Sequence, residues 1–291
     1  MVRSLCHCPA CGSEGADVVA QLDAARRERF LAYSEIKYGG LLNDWIDEIA
    51  PIILRCKQCG HCWYKYHPGP EKLGLMYASG RRLLPNVPMS REPSVHMHGE
   101  MLKLRRLVKA SGSPSLLDYG SGYGRWARAA VVAGFKVTAF EPSAERGAEH
   151  QVPFEIVHTL DAIRGQHFAA IHLEQVLEHV AAPLTVLRDI KAFCDSATII
   201  RITVPNIFRA HEGAAIWGKW PYDGISTHTM APFEHLHGFT PRSLDCLLRR
   251  AGFKSVSAPQ LLRHYPTVSV SLFLGRIISS MGRTMRIVVP V

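Results

Sequence analysis

A chain of 291 residues, 47% hydrophobic and 20% charged, has material for one large domain or a main domain with a small partner, which excludes long disorder and collagen-like repeats. The opening MVRSLCHCPACG has no apolar h-region, and no run of about 18 uncharged apolar residues follows, so neither a secretory leader nor a membrane-spanning helix is expected. The net charge of +9 is uneven: residues 1–75 carry 9 Lys/Arg and 9 Asp/Glu, 76–113 carry 7 and 2, 114–260 carry 14 and 14, and 261–291 carry 4 and none, so both expected domains are neutral, which argues against a nucleic-acid partner.

Six of the eight cysteines fall in the first 62 residues. Without a sign of export, metal binding is expected rather than disulfides. Cys8-Pro-Ala-Cys11-Gly and Cys56-Lys-Gln-Cys59-Gly each put two thiolates around a two-residue turn followed by glycine. Two such loops supply the four soft ligands of a closed, structural zinc site, so residues 1–75 are expected to form a small zinc-ribbon-like module. Cys6, Cys62, His7 and His61 are alternative donors. The 44 residues between the pairs hold an expected helix, Asp23 to Tyr33, and the apolar run Ile49 to Leu54.

Residues 76–113 are expected to be a connector. Pro85, Pro88 and Pro93 forbid long helices there. A helix is predicted from Glu100 to Ala110, with Met101, Leu104, Leu107 and Val108 on one face and basic residues elsewhere.

The stretch Ser115-Leu-Leu-Asp118-Tyr119-Gly120-Ser-Gly122-Tyr-Gly124 is an apolar strand that breaks into three alternate glycines. A helix from Arg125 to Ala133 follows. Glycines there let a ligand approach the backbone and let the helix begin near the strand end. Phe135 to Phe140 is a second strand, closed by Glu141, 23 residues after Asp118. That spacing suits a carboxylate gripping a ribose diol at the carboxyl edge of a parallel sheet.

The loop has neither the GxGxxG nor the GxxxxGK[ST] pattern. It resembles motif I of class I S-adenosylmethionine-dependent methyltransferases, Asp followed by GxGxG. Later segments resemble the same family in order: strand Phe168 to Leu173 followed by Glu174-Gln175-Val-Leu-Glu178-His179-Val180, strand Ala197 to Val204 ending in Pro205-Asn206, and Glu234-His235-Leu-His237-Gly-Phe-Thr240-Pro241, where Thr240 is an expected N-cap. The resemblance implies a Rossmann-like, seven-stranded, doubly wound α/β methyltransferase domain over residues 114–260, behind the zinc module. It implies S-adenosylmethionine as cofactor, held by Asp118, Tyr119 and the glycines 120, 122 and 124 (Gly120, Gly122, Gly124). Glu141, Pro142, Leu160, Glu174 and Gln175 complete the implied site. Two positions depart from the family: Ala169 stands where Asp is common, and His158-Thr159-Leu160 where an acid near the adenine is common.

Methyl transfer to a hydroxyl, amine or activated carbon requires removal of a proton, which favours histidine as base. His235 is the expected base, oriented by Glu234. His237, His228 and His179 rank lower. Some relatives bind a divalent ion through ExxEH and a later His, but Gln175 replaces the first Glu, which weakens a hard-cation site. The segment between Asn206 and Phe233, with Trp217, Trp220 and Tyr222, is expected to be a lid or substrate wall. Residues 261–291 are expected to be a basic apolar tail, with Phe273, Ile277, Ile278, Met281 and Met285 on one face of a helix. That helix would pack on its own domain, on a neighbouring subunit, or on an anionic membrane surface.

The expected protein is thus a cytoplasmic methyltransferase acting on a small molecule, with a nucleotide-linked sugar or other biosynthetic intermediate first. An RNA methyltransferase and a non-catalytic cofactor-binding scaffold are the rival readings.

Overall fold

The computed structural model describes residues 3–79, 92–144, 152–207, 229–256 and 283–291. The expected lid residues Trp217, Trp220 and Tyr222, the candidate His228, and most of the tail lie outside these.

The chain begins with β1 (Arg3–Ser4), β2 (Ala16–Gln21), α1 (Ala24–Tyr38), α2 (Asn43–Glu48), β3 (Ile52–Cys56), β4 (Cys62–Tyr64), β5 (Tyr66–His67) and α3 (Pro70–Ser79). The Asp23 carboxylate caps α1 by accepting from the Arg26 backbone N–H at 2.8 Å. The helix runs past the expected Tyr33 to Tyr38, where Gly39, at φ 58°, closes it. Then follow α4 (Val95–Leu107), β6 (Ser115–Tyr119), α5 (Arg125–Val132), β7 (Lys136–Phe140), β8 (Glu155–Val157), β9 (Ala170–Glu174), α6 (Pro183–Lys191) and β10 (Ile199–Pro205). α4 starts five residues before the expected Glu100 because Ser94 caps it, accepting from the Met97 N–H. The chain closes with β11 (His237–Gly238), α7 (Pro241–Arg250), β12 (Phe253–Ser255) and β13 (Arg283–Pro290).

These elements form two compact units. The first takes residues 1–88, 177–184 and 205–247. Segments expected inside the 114–260 domain therefore belong with the amino-terminal residues. The reason is visible in the hydrogen bonding: β11 adds to the amino-terminal sheet, pairing His237 with Trp63 and Gly238 with Cys62. The resulting antiparallel sheet has the order β11-β4-β3-β2. Its core joins Phe30, Trp45, Ile46 and Ile53 to Met230, Phe233 and Leu236. Gly238 fits because any Cβ there would stand 2.4 Å from Ile207 Cδ1.

The second unit takes residues 89–176, 185–204 and 248–291. Its seven-stranded sheet has the order β12-β13-β10-β9-β6-β7-β8. The strands from β10 to β8 run parallel, and β12 and β13 pair antiparallel. Parallel neighbours need crossover connections; α5 lies on the one from β6 to β7 and α6 on the one from β9 to β10. Ala127, Ala129 and Ala130 are fully buried, and α5 packs through them on the core beside Leu116, Val137 and Ala170.

The helical expectation for the tail is corrected at its described end. Residues 283–290 are a strand of the main sheet, with Ile287 and Val288 buried. The β-branched run Ile287-Val288-Val289 suits the half-buried pleat better than a helix. No helix among the described residues is long and apolar enough to cross a membrane.

Candidate functional site

The first unit gathers the thiols of Cys8, Cys11, Cys56 and Cys59 within 4.8 Å of one another. Each CxxCG loop folds back on itself: the Gly12 N–H donates to Cys8 O at 2.8 Å and the Gly60 N–H to Cys56 O at 3.0 Å. Both glycines hold the left-handed φ this turn needs, 84° and 73°. Sulfurs of opposite loops approach to 3.6 Å (Cys8 and Cys59) and 3.5 Å (Cys11 and Cys56). A tetrahedron with metal–sulfur arms of about 2.3 Å has edges of roughly 3.8 Å. The donor set therefore fits one tetrahedral ion, and the sulfurs are too far apart for disulfide bonds. Among these thiols a hydrogen bond from Cys59, against burial, holds Cys8 below the ordinary thiol value, while Cys59 and Cys11 are pushed above it. The alternative donors sit in other contacts: His7 faces Glu14 at 3.2 Å and His61 faces His237 at 3.2 Å.

The same unit holds an acid–base cluster. Glu234 follows Phe233, a non-glycine residue at φ 67° wedged edge-on between Phe30 and Trp45. The Glu234 side chain does not orient His235, contrary to expectation. It turns to α1, where Lys37 Nζ reaches both carboxylate oxygens at 2.8 Å and the Tyr33 hydroxyl donates to Oε1. Burial pushes the Glu234 carboxyl up to about 8 and the Lys37 ammonium down to about 8. His179 Nδ1 lies 2.7 Å from the Glu234 carbonyl oxygen, which can only accept. The Nδ1 proton is thereby fixed, and Nε2 of the neutral ring keeps its lone pair. The His235 ring packs edge-on against His179 at 4.6 Å, and the ligand atoms of Glu178, His179 and His235 lie within 4.8 Å of one another. His237 is not part of this cluster. It is stacked on His61, and burial first, then its histidine neighbours, drive it far below the ordinary imidazole value.

The second unit carries the glycine loop. Gly120, Gly122 and Gly124 all have left-handed φ, between 56° and 74°. A Cβ on Gly120 would meet Val176 Cγ2 at 2.8 Å, and one on Gly124 would meet the Phe154 ring at 2.8 Å. A Cβ on Gly122 would meet no heavy atom of the described residues within 4 Å. The Glu141 carboxylate closes this loop, accepting from the Gly122 N–H at 2.9 Å and the Ser143 N–H at 3.0 Å. Tyr119 is buried against Phe140 at 4.8 Å, so its side chain serves packing. Pro142 is exposed, and Leu160 opens a short 3-10 turn after β8. In the place of the family's acid, His158 Nδ1 lies 2.8 Å from the Glu141 carbonyl. Gln175 leaves β9 at φ 54°, a strained backbone for a residue with a side chain, and its N–H donates to Thr203 O.

Beneath the loop runs a buried charge network absent from the sequence reading. Asp118 Oδ1 meets His172 Nδ1 at 2.8 Å. Arg201 Nη1 donates to His172 Nε2 at 3.0 Å and to Glu174 Oε2 at 2.7 Å, and Nη2 donates to Glu100 Oε2 at 3.2 Å. Arg283 of the last strand adds a contact to Glu174 at 3.4 Å. Burial opposes charge on Glu174, but the Arg201 guanidinium beside it holds its carboxyl well below the usual range. The signal was present: parallel strands buried on both faces are continuously apolar, and here His172 interrupts AIHLE and Arg201 interrupts IIRITVP. A buried charge needs partners.

Residues 89–258 match the family profile of a methyltransferase domain, which is more than half of the chain. The chain belongs to this methyltransferase family. The sheet order and the glycine loop of the methyltransferase domain agree with that membership. No curated protein matches the sequence. Among solved structures the methyltransferase is similar to the [4+2]-cyclase SpnF, at 17% identity over 77% of this chain and 97% of that one, with a TM-score of 0.48. It is also similar to the 1,6-didemethyltoxoflavin-N1-methyltransferase of Burkholderia thailandensis, solved with 1,6-didemethyltoxoflavin and S-adenosylhomocysteine, at 19% identity over 71% and 86% of the chains, with a TM-score of 0.46. A third is CalO1, a methyltransferase in calicheamicin biosynthesis, solved with S-adenosylhomocysteine bound, at 14% identity over 77% and 59%, with a TM-score of 0.41.

Proposed function

We propose that this protein transfers a methyl group from S-adenosylmethionine to a small-molecule acceptor. The observation that carries the reading is the glycine loop, whose three left-handed glycines leave no described heavy atom within 4 Å of a Cβ at Gly122 while Glu141 braces the loop from the next strand. The cofactor, when bound, supplies the electrophilic methyl, so the chain's own work is binding, orientation and proton removal. Asp118 and the glycines hold the amino-acid end, Glu141 serves the ribose, and Leu160 with the backbone near His158 serves the adenine. Glu174, Gln175 and Pro142 complete the same site.

The acid–base cluster of the first unit serves the acceptor. His235 remains the proposed base, and its partner is His179 rather than Glu234. Glu234, held by Tyr33 and Lys37, is a charged anchor supplied jointly by the amino-terminal residues and the later segment. The amino-terminal module is therefore part of the acceptor machinery. Its four cysteines hold a structural zinc ion, which suits a reducing, cytoplasmic setting. A nucleotide-linked sugar or similar biosynthetic intermediate is the acceptor class to screen first.

The test is calorimetric titration of the purified chain with S-adenosylhomocysteine, with metal content measured on the same sample. Saturable binding at one site with one zinc per chain is expected. No binding would overturn the cofactor assignment. Binding without turnover on any acceptor pool would favour a scaffold.

A further inference from the structure

We propose that His172 and Arg201 are positioning residues for the cofactor, holding the carboxylates of Asp118 and Glu174 in place from β9 and β10. The proposal rests on the reading of the glycine loop as an S-adenosylmethionine site. Both lie on strands expected from the sequence, but neither is among the residues the resemblance assigns to the site.

The argument is one of donors and acceptors. A guanidinium has five N–H donors and no acceptor. Arg201 Nη1 stands 3.0 Å from His172 Nε2, so that nitrogen must present its lone pair. The ring is then neutral, its one proton sits on Nδ1, and that proton is given to Asp118 Oδ1 at 2.8 Å. His172 thus works as a rigid coupler, accepting on one side and donating on the other. Its ring is locked between elements: it is fully buried, and Trp126 of α5 packs against it at 4.8 Å and under the Arg201 guanidinium at 5.1 Å. Asp118 is left with Oδ2 buried and without a hydrogen-bond partner among the described residues. A carboxylate oxygen buried and unpaired near the end of β6, two residues before the first glycine, is poised for a ligand donor such as an ammonium group. Arg201 completes the arrangement by fixing Glu174 at the corresponding end of β9, with Glu100 of α4 as its counterweight.

The coupler has a built-in sensitivity to protons. The charged and titratable groups facing His172 are Asp118 from β6, Glu174 from β9 and Arg201 from β10. Beyond them stand Glu100 and Lys103 of α4, with His96 of α4 against Trp126, and Arg283 of β13. Burial resists protonation of His172, but the two carboxylates outweigh it and lift the ring above the ordinary imidazole value. A second ring proton would sit on Nε2 and face the guanidinium, donor against donor. Arg201 must then withdraw, and Glu174 and Glu100 lose their shared partner.

The experiment uses the full chain and S-adenosylhomocysteine as probe, with affinity measured by calorimetry between about pH 5 and 8, where imidazole titrates. His172→Gln is the deciding variant, because a carboxamide can donate to Asp118 and accept from Arg201 but does not titrate. It is expected to bind like the wild type at the upper pH and to lack the wild type's loss of affinity as pH falls. His172→Leu cannot bridge the two and is expected to lose roughly ten-fold or more in affinity. Other groups near the loop, such as His158, are common to both proteins, so their contribution cancels in the comparison. A wild-type pH slope that persists in His172→Gln overturns the proposal even if His172→Leu fails to fold. Equal affinity in His172→Leu and wild type also overturns it. Absence of binding in the wild type at every pH refutes the cofactor reading itself, and is seen before any variant is made.

Discussion

Substituting Gly122 by alanine separates the strain of the loop from the contact it makes. Among the described residues Gly122 has φ 56° and nothing within 4 Å of a built Cβ; Gly134, between α5 and β7, has φ 90° and is equally open. Alanine in the left-handed region loses roughly 1–2 kcal/mol relative to glycine. Both variants should therefore lose similar stability, a few degrees in Tm for a chain of this size. Only Gly122→Ala fills space that the cofactor backbone contact needs, so only it should weaken S-adenosylhomocysteine binding. Gly120→Ala should lose more stability than either, since its Cβ would stand 2.8 Å from Val176 Cγ2. Thermal unfolding and calorimetry on the three variants give the answer. If Gly122→Ala binds the ligand as tightly as Gly134→Ala does, the space beside Gly122 is not where the cofactor sits.

Glu141→Ala removes a carboxylate that accepts two backbone N–H bonds, each worth roughly 1.5–3 kcal/mol when charge-assisted. It should weaken S-adenosylhomocysteine binding at least ten-fold, and undiminished affinity would remove the ribose assignment. Lys37→Met leaves Glu234 buried without its ammonium partner, so burial holds its carboxyl above the ordinary range with nothing beside it to favour the charge. The folded variant then keeps a proton that the unfolded chain has released, so its stability is highest below the ordinary carboxyl range and falls as pH rises towards 8. Comparing Tm at pH 5 and pH 8 in the variant and the wild type tests this: the slope should be steeper in Lys37→Met than in the wild type and vanish in Lys37→Met/Glu234→Gln, and a slope no steeper than the wild type's would refute the pairing. His235→Ala should leave S-adenosylhomocysteine affinity unchanged and lower turnover once an acceptor is found, and full turnover would remove the base. Cys56→Ser should release the metal and destabilise the first unit, whereas Cys6→Ser, outside the four-thiol cluster, should retain it. Metal analysis of both variants decides whether the four ligands are rightly chosen.

What the sequence made legible was carried by local chemistry. The paired cysteine loops, the glycines after Asp118 and the Thr240 N-cap are each fixed within five or ten residues. The Thr240 hydroxyl accepts from the Ser243 N–H, and Ser243 returns the bond to the Thr240 N–H. The helical reading of the tail failed at its described end because Met285 continues a spacing of three and four that a short strand also tolerates. The membership of residues 205–247 was illegible because β11 is two residues long, too short for any period. Its pairing depends on Gly238 fitting beside Ile207 and Met230, which only the folded chain displays. The orientation of Glu234 was missed for the same reason, since its partners Tyr33 and Lys37 lie about two hundred residues away in sequence.

The four-thiol cluster and the acid–base cluster are joined by a short, continuous path within one unit. The Thr240 hydroxyl donates to Cys59 O, in the second cysteine loop, and Gly60 leaves room for the Thr240 side chain. From that loop the chain enters β4, which pairs with β11, and β11 directly follows Glu234, His235 and Leu236. The Glu178 carbonyl accepts from both Leu236 and His237 N–H groups, so the backbone that carries His179 is tied to the same strand. A metal that fixes the two cysteine loops therefore fixes β4, and through β4 the segment carrying Glu234 and His235. Loss of the ion should reach the acid–base cluster while the glycine loop, braced by Glu141 of its own unit, keeps that support. Chelation that abolishes turnover but spares S-adenosylhomocysteine binding is the signature of that division, because a metal that acted only on global folding would remove both together.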